Sequence, residues 1–332
     1  MKILVTGNLG YVGSHLTQIL ISSGHEVIGC DLSLFPNSVC GELTQPTIQW
    51  LKDFREIEIE DLSGVDAVAH LAAISNDPMG ELNPGLTLKI NGEGTVHLAR
   101  IAKSAGVKIF TFASSCSIYG SAGAQPRTEQ DETNPLSEYA ASKLFAEKGL
   151  SALTANDFHV YLLRNATAYG DSPVFRTDLV VNDLSAGMCA SGTAEIRSDG
   201  SPWRPLIHCR DMARAFQLFI ENDPTLVSGK PVNVGFESEN FQVKDVGTRV
   251  QESWPDGKII YSPNAVSDSR NYKVDFSLLN TLFPSFMPEH PLSQGVLELR
   301  DFLLDISYTK AQLESKRYVR IIELQNRIQE LS

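Results

Sequence analysis

Short apolar runs alternate with longer stretches of helical spacing through the first half of the chain. Residues 2–6 form a continuous apolar run of strand length, and residues 11–23 repeat apolar side chains at helical intervals. The pattern predicts further strands over residues 26–30, 67–71 and 107–113. Between the last two, residues 86–105 predict one long helix closed by Gly106. Another helix is predicted over residues 137–155, followed by a strand over 160–163. Parallel strands need crossover connections, so repeated strand–helix units imply an α/β fold: a doubly wound parallel sheet with helices on both faces.

After residue 164 the rhythm loosens. Helices are predicted near 177–190, 210–221 and 242–253, with short strands over 231–234 and 258–261. This gives a first unit over 1–164, a smaller mixed unit over 165–306, and an amphipathic helical tail over 307–332. In the tail, Ile321, Leu324, Ile328 and Leu331 follow a 3-4-3 spacing over less than two heptads. That length favours a helix docked on its own chain over an independent coiled coil.

Composition narrows the class. Lys and Arg number 28 against 40 Asp and Glu, a formal net charge of −12 over 332 residues. Nucleic-acid binding needs a basic surface, so that function is excluded. No apolar run reaches the roughly 20 residues of a membrane span, and MKILVTG begins a strand at once, so neither a membrane segment nor a targeting leader is expected. Cys30, Cys40, Cys116, Cys189 and Cys209 are odd in number and show no CxxC spacing. No disulfide framework or metal site is expected, and a cytoplasmic location is.

The turn TGNLGYVG joins the first strand to the first helix and carries Gly7, Gly10, Tyr11, Val12 and Gly13. One glycine turns the chain, the next lets the backbone approach a pyrophosphate, and the third lets the helix pack on the sheet. The helix N-terminus then offers free N–H groups to the phosphates. Asp31 ends the second strand, where a carboxylate accepts hydrogen bonds from the adenosine ribose. Residues 32–35 hold no Arg or Lys for a 2′-phosphate, so NAD is expected rather than NADP.

In SEYAASK, Tyr139 and Lys143 lie four apart on a predicted helix and share one face. Such a pair is common on solvated helix faces. An ammonium beside a phenol favours the phenolate, and a nearby positive nicotinamide adds to that, which would make the tyrosine a proton acceptor. In FASSCSIYG, Ser114, Ser115, Cys116 and Ser117 follow the strand over 107–113, at the sheet edge where open parallel sheets place their ligands.

Together these segments resemble the extended short-chain dehydrogenase/reductases, in the NAD-dependent epimerase/dehydratase branch acting on nucleotide sugars. The resemblance runs to about residue 306. It rests on TGNLGYVG, Asp31, DFRE at 53–56, HLAA at 70–73, NGEGT from Asn91, SSCSIYG, YAASK, LRNATAYG and WRPLIHCRD. It implies a Rossmann-type sheet with a smaller mixed α/β C-terminal substrate lobe. It also implies that Tyr139 is the acid/base, that Lys143 assists it and bonds the nicotinamide ribose, and that Ser115 bonds the reacting sugar hydroxyl. Asp53 and Phe54 would flank the adenine, Leu71, Ala72 and Ala73 would line the cofactor cleft, and Asn91 joins the cofactor set. Arg204 and Arg270 are similar to two arginines placed near the nucleotide diphosphate, while Cys116, Asn165 and Asn182 join the substrate set.

Within the family, 4,6-dehydratases carry an Asp–Glu pair after the Ser/Thr, where this chain has Cys116 and Ser117. The resemblance therefore implies an NAD-dependent epimerase of a nucleotide-diphosphate sugar, at carbon 4 through a transient keto-sugar. A dehydratase or decarboxylase on the same scaffold, a net reductase and a non-catalytic NAD-binding regulator are the alternatives. Thr167 with Arg176 is similar to the pattern by which uronic-acid 4-epimerases contact a sugar carboxylate. The family also implies a homodimer through the helices near 86–105 and 137–155.

Overall fold

The computed structural model describes residues 1–121, 123, 125–262 and 270–330, without the side chains of Ile328 and Glu330. Leu331 and the Ile328 side chain, half of the spacing noted in the tail, lie outside the described residues. Among these residues the strands are β1 Lys2–Thr6, β2 Glu26–Cys30, β3 Ile48–Trp50, β4 Ala67–His70, β5 Ile109–Ser115 and β6 His159–Asn165. They continue with β7 Thr167–Tyr169, β8 Thr193–Ile196, β9 Trp203–His208, β10 Pro231–Val234, β11 Asn240–Gln242 and β12 Lys258–Tyr261.

Seven of them form a parallel sheet in the order β10-β6-β5-β4-β1-β2-β3. The order reverses between β1 and β4, which opens a crevice at their carboxyl ends. Both faces are buried, as the apolar runs require. Along β1, Ile3 and Val5 enter one core with Leu16, Leu20, Phe216 and Phe219, while Leu4 enters the other with Leu98, Ala102, Ala146 and Leu150. This is the doubly wound fold that the strand–helix alternation predicts.

The expected boundary at 164 is crossed by the sheet itself. β10 pairs with β6, and the helix Cys209–Asn222 packs on the first helix, Gly13–Ser22. Both segments were assigned to the smaller lobe because their strand is short and follows a loosened pattern. Their apolar residues, Val232, Val234, Phe216 and Phe219, complete one face of the central sheet. The smaller lobe is built from β11-β9-β7, from β12-β8, and from the helices Val180–Ser191, Val243–Ser253 and Leu292–Asp305 around a third core.

The single helix predicted over 86–105 is instead a short helix Pro84–Thr87, a π-helical stretch Leu88–Gly94 and a helix Thr95–Ser104. A π stretch rotates the side chains after it, and here it holds Asn91, whose Oδ1 accepts the Ile74 N–H at 2.9 Å. The tail likewise divides, into Lys310–Glu314 and Arg320–Glu330. No helix among the described residues is long and apolar enough to cross a membrane.

Candidate active site

A cleft of about 1370 Å³ runs along the carboxyl edge of the central sheet and over the smaller lobe. Its floor begins at the turn after β1. Gly7 has φ +75°, and a Cβ there would lie 2.7 Å from the Ala72 nitrogen; a Cβ on Gly13 would lie 2.0 Å from the Gly7 carbonyl oxygen. Only glycines fit a turn folded this tightly between two strands. The Gly7 N–H donates to the Cys30 carbonyl at 2.8 Å, fixing the turn to the end of β2. The helix Gly13–Ser22 starts at Val12 without a capping side chain; the Ser14 N–H donates to the Gly10 carbonyl at 3.0 Å, and the turn before it lines the cleft where a helix start favours an anion.

Asp31 sits at the end of β2 and accepts the Leu9 N–H at 3.2 Å and the Ser33 N–H at 2.8 Å. Burial pushes its carboxyl above the usual range, and those N–H bonds oppose the rise. Asp53 caps the turn Phe54–Glu56 and pairs with Arg55, while Phe54 packs edge-on against His70 at 4.7 Å. These residues, with Gly10, Tyr11, Leu71, Ala72 and Ala73, line the cleft. A glycine cradle, an uncapped helix start and a carboxylate beyond β2 fit a dinucleotide. Asn91 does not line the cleft; it brackets the backbone of Ile74, which does, and donates to the Ser142 Oγ at 3.2 Å.

Ser115 at the end of β5, and Tyr139 and Lys143 on successive turns of the helix Glu138–Ser151, meet at the middle of the cleft. The Ser137 Oγ caps that helix by accepting the Ala140 N–H, and donates to Asp77 across the cleft mouth. The Ser115 Oγ accepts the Ser117 N–H at 3.1 Å and acts on the Tyr139 phenol to lower its pKa. Lys143 Nζ lies 4.7 Å from the Phe112 ring centre and 5.7 Å from that of Tyr139.

The expectation that the ammonium by itself favours the phenolate is not met in the chain alone. Burial pushes the Tyr139 phenol up to about 12, Asp77 adds to that, and the Ser115 bond and Arg176 oppose it. Burial likewise lowers Lys143 to about 7, against the attraction of Glu147. Desolvation is the first cause of the shift in both groups.

Beneath them lies a buried network that sequence reading missed. Glu147 accepts from the Ser114 hydroxyl at 2.5 Å and from Arg164 at 2.8 Å, and Arg164 also donates to the Tyr119 hydroxyl at 3.0 Å. Its signal was present: Tyr139, Lys143 and Glu147 repeat at intervals of four on one helix face.

Asn165, Thr167, Arg176, Arg204 and Arg270 line the substrate side. The Asn165 amide donates to the Ser114 and Leu163 carbonyls, leaving its buried Oδ1 without a partner among the described residues. Arg176 turns its Nε and Nη2 toward Asp178 at 2.9 and 3.1 Å, so this side of the fork is engaged. Arg204 donates to the Trp203 and Arg270 carbonyls, and Arg270 donates to Asp77 at 2.7 Å.

Two residues expected to touch substrate do not line the cleft. Cys116 turns into the core, its Sγ donating to the Arg164 carbonyl at 3.1 Å, because the turn after β5 sends alternate side chains inward. Asn182 is fully buried and holds the backbone of Gly170 and Arg176. Conversely, Leu313, Val319, Arg320, Ile321 and Leu324 line the cleft from the tail, where only the spacing of Ile321 and Leu324 hinted at a buried face. Away from the cleft, His208, His290 and Glu298 cluster closely, but Arg210 already places its guanidinium against Asp171 and Glu298.

The model of the NAD dependent epimerase/dehydratase family matches residues 3–235. The chain is 27% identical over 315 residues to a UDP-glucose 4-epimerase of Mycolicibacterium smegmatis, covering 91% of this chain and 98% of that protein. It is also 27% identical over 318 residues to UDP-glucuronic acid decarboxylase 4 of Arabidopsis thaliana, covering 91% and 68%. Among solved structures, the NAD-dependent NDP-hexosamine 5,6-dehydratase TunA superposes with a TM-score of 0.81 at 25% identity, over 92% of this chain and 98% of that one. These three relatives perform three different reactions. The glycine cradle, the Ser–Tyr–Lys group and the family match lead to one conclusion: this chain belongs to the NAD-dependent epimerase/dehydratase family.

Proposed function

We propose that the chain is an NAD-dependent epimerase of a nucleotide-diphosphate sugar, inverting carbon 4 through a transient keto-sugar. One observation carries the choice among family reactions. Ser115, Tyr139 and Lys143 share the cleft, yet the position after Ser115 supplies a buried thiol and the next a serine. Of the carboxylates that line the cleft, Asp77, which acts on Tyr139, is engaged by Ser137 and Arg270, and Asp178 is engaged by Arg176 and Asn76. Elimination of water needs an acid and a base beyond the tyrosine, and neither carboxylate is free to act as one.

When bound, NAD supplies a reversible two-electron acceptor. Ser115 holds the reacting hydroxyl, and Tyr139 takes its proton and later returns it. Lys143 presents its Nζ to the same region and holds the nicotinamide ribose. The unpartnered Asn165 Oδ1 accepts a hydroxyl of the sugar. The keto-sugar turns over in the cleft, and reduction from the opposite face gives the epimer. Arg204 and Arg270, which line the cleft, would pair with the substrate diphosphate.

The test is proton NMR of the purified chain with UDP-, GDP-, CDP- and dTDP-sugars, uronates included, without added NAD. An epimeric mixture supports the reading and names the sugar. A dehydrated sugar or released carbon dioxide moves the assignment to dehydratase or decarboxylase. Tyr139→Phe should lower kcat about 10²–10⁴-fold with the fold intact; a fully active variant would favour the non-catalytic alternative.

A homodimer is part of this proposal. Leu86, Leu88 and Phe145 are 41%, 36% and 45% exposed on the neighbouring segments Pro84–Thr87, Leu88–Gly94 and Glu138–Ser151, an apolar surface suited to a second copy. Light scattering that returns a monomer mass at working concentration would refute it.

A further inference from the structure

The segment after Ile306 crosses the cleft. On one side it holds the loop after β2: Glu323 accepts the Asn37 N–H and the Ser38 hydroxyl, each at 2.7 Å, and Arg327 donates to the Ser33 carbonyl at 2.9 Å. On the other side the Tyr318 carbonyl accepts the Thr177 N–H at 3.0 Å, and the Tyr318 ring packs on Phe175 in the smaller lobe. The helix Arg320–Glu330 also reaches the helix Asp77–Gly80 at the cleft mouth. The segment therefore roofs the cleft between its two ends.

Arg320 is the side chain it places there. The residue is 3% exposed and lines the cleft, with its guanidinium 3.9 Å from the centre of the Phe35 ring. Its buried Nε has no hydrogen-bond partner among the described residues. Burial lowers the guanidinium to about 9, and Arg176 adds to that, while Asp178, Glu323 and Asp31 attract it. A buried cation with an unpaired donor calls for an anion.

The neighbours locate that anion. Asp31 marks the adenosine ribose end of the cleft, and Arg176 and Asp178 mark the end that holds Tyr139. Arg320 lines the same cleft as both ends and stacks on Phe35, in the loop that follows Asp31. A dinucleotide laid from Asp31 to Tyr139 carries its diphosphate over the glycine turn before the helix Gly13–Ser22, and that turn lines the same cleft as Arg320. We propose that Arg320 is a ligand of the cofactor diphosphate, delivered by the tail so that the anion is held between helix N–H groups below and a guanidinium above. This extends the dinucleotide site beyond the part of the chain that the family model matches, which ends at residue 235. It does not depend on which sugar reaction the enzyme performs.

The test is calorimetric binding to the full chain, with Arg320→Met keeping side-chain length and removing the charge. NAD and ADP-ribose are expected to bind about 10–100-fold more weakly to the variant, and adenosine with unchanged affinity. The melting temperature without ligand should stay level or rise, because an unpaired buried cation is removed. Arg320→Lys should recover part of the lost affinity; if it recovers none, packing rather than charge is at work and the assignment fails. Unchanged NAD binding overturns the proposal, as does an equal loss for adenosine. A loss confined to NADP would assign the guanidinium to a 2′-phosphate instead, and a loss confined to UDP would assign it to the substrate diphosphate.

Discussion

The turn from residue 7 to 13 and the segment from 313 to 324 face the same cleft, yet the first is a wall of backbone and the second a wall of side chains. In the first, Gly7 and Gly13 have no room for a Cβ, and the adjoining β1 is buried on both faces of the sheet. In the second, contact with the ribose-side loop is made by Glu323, Arg317 and Arg327, through polar bonds. A backbone wall inherits the stability of the sheet. A side-chain wall held by polar bonds opens separately, at a free energy below that of global unfolding. The family's cofactor site thus combines a fixed floor with a roof that this chain supplies from elsewhere.

The largest effect expected follows from the floor. Gly13→Ala would put a methyl 2.0 Å from the Gly7 carbonyl oxygen, a clash with backbone that cannot swing aside. We expect a loss of about 3 kcal/mol in denaturant unfolding, together with loss of NAD binding. Parent-like values for both would mean that the floor is as adaptable as the roof.

Glu323→Ala probes the roof. It removes the acceptor of the Asn37 N–H and the Ser38 hydroxyl, bonds to a charged group whose loss costs about 2–3 kcal/mol. Hydrogen exchange should quicken over residues 308–324 and in the loop at 33–38, with β1 amides protected as before. Equal loss of protection in β1 would join the two walls into one cooperative unit.

The same contrast explains what could be read from the sequence. The floor was legible because its physics acts through residue type: glycine where no Cβ fits, an apolar run where both faces of a strand are buried, Asp31 at a strand end. Tyr139 and Lys143 were legible through helical spacing. The roof was not, because Arg320 meets Phe35 and the surroundings of Asp31 only through tertiary packing across almost the whole chain. Cys116 failed for a related reason: its place in the motif is beside Ser115, but its direction is set by the turn after β5. β10 is misread from the sequence because a strand of four residues, Pro231–Val234, looks the same whichever sheet edge it joins.

A smaller effect distinguishes which wall keeps water from Lys143. Lys143 is lowered from 10.5 to about 7, chiefly by burial, so folding binds its proton less tightly than the unfolded chain does. Its contribution to stability is complete above the unfolded value and is lost as pH falls toward 7, which means that stability rises with pH across this window. Between pH 7 and 9 the gain from this one group is about 2 kcal/mol, and Lys143→Met should abolish it while raising stability at pH 7. The rings nearest the ammonium, Phe112 and Tyr139, belong to the central sheet and the helix beside it, not to the tail. Glu323→Ala should therefore keep the pH dependence of the parent. If loosening the roof flattens it, the tail rather than the sheet dehydrates Lys143, and the two walls act together on the chemistry as well as on the cofactor.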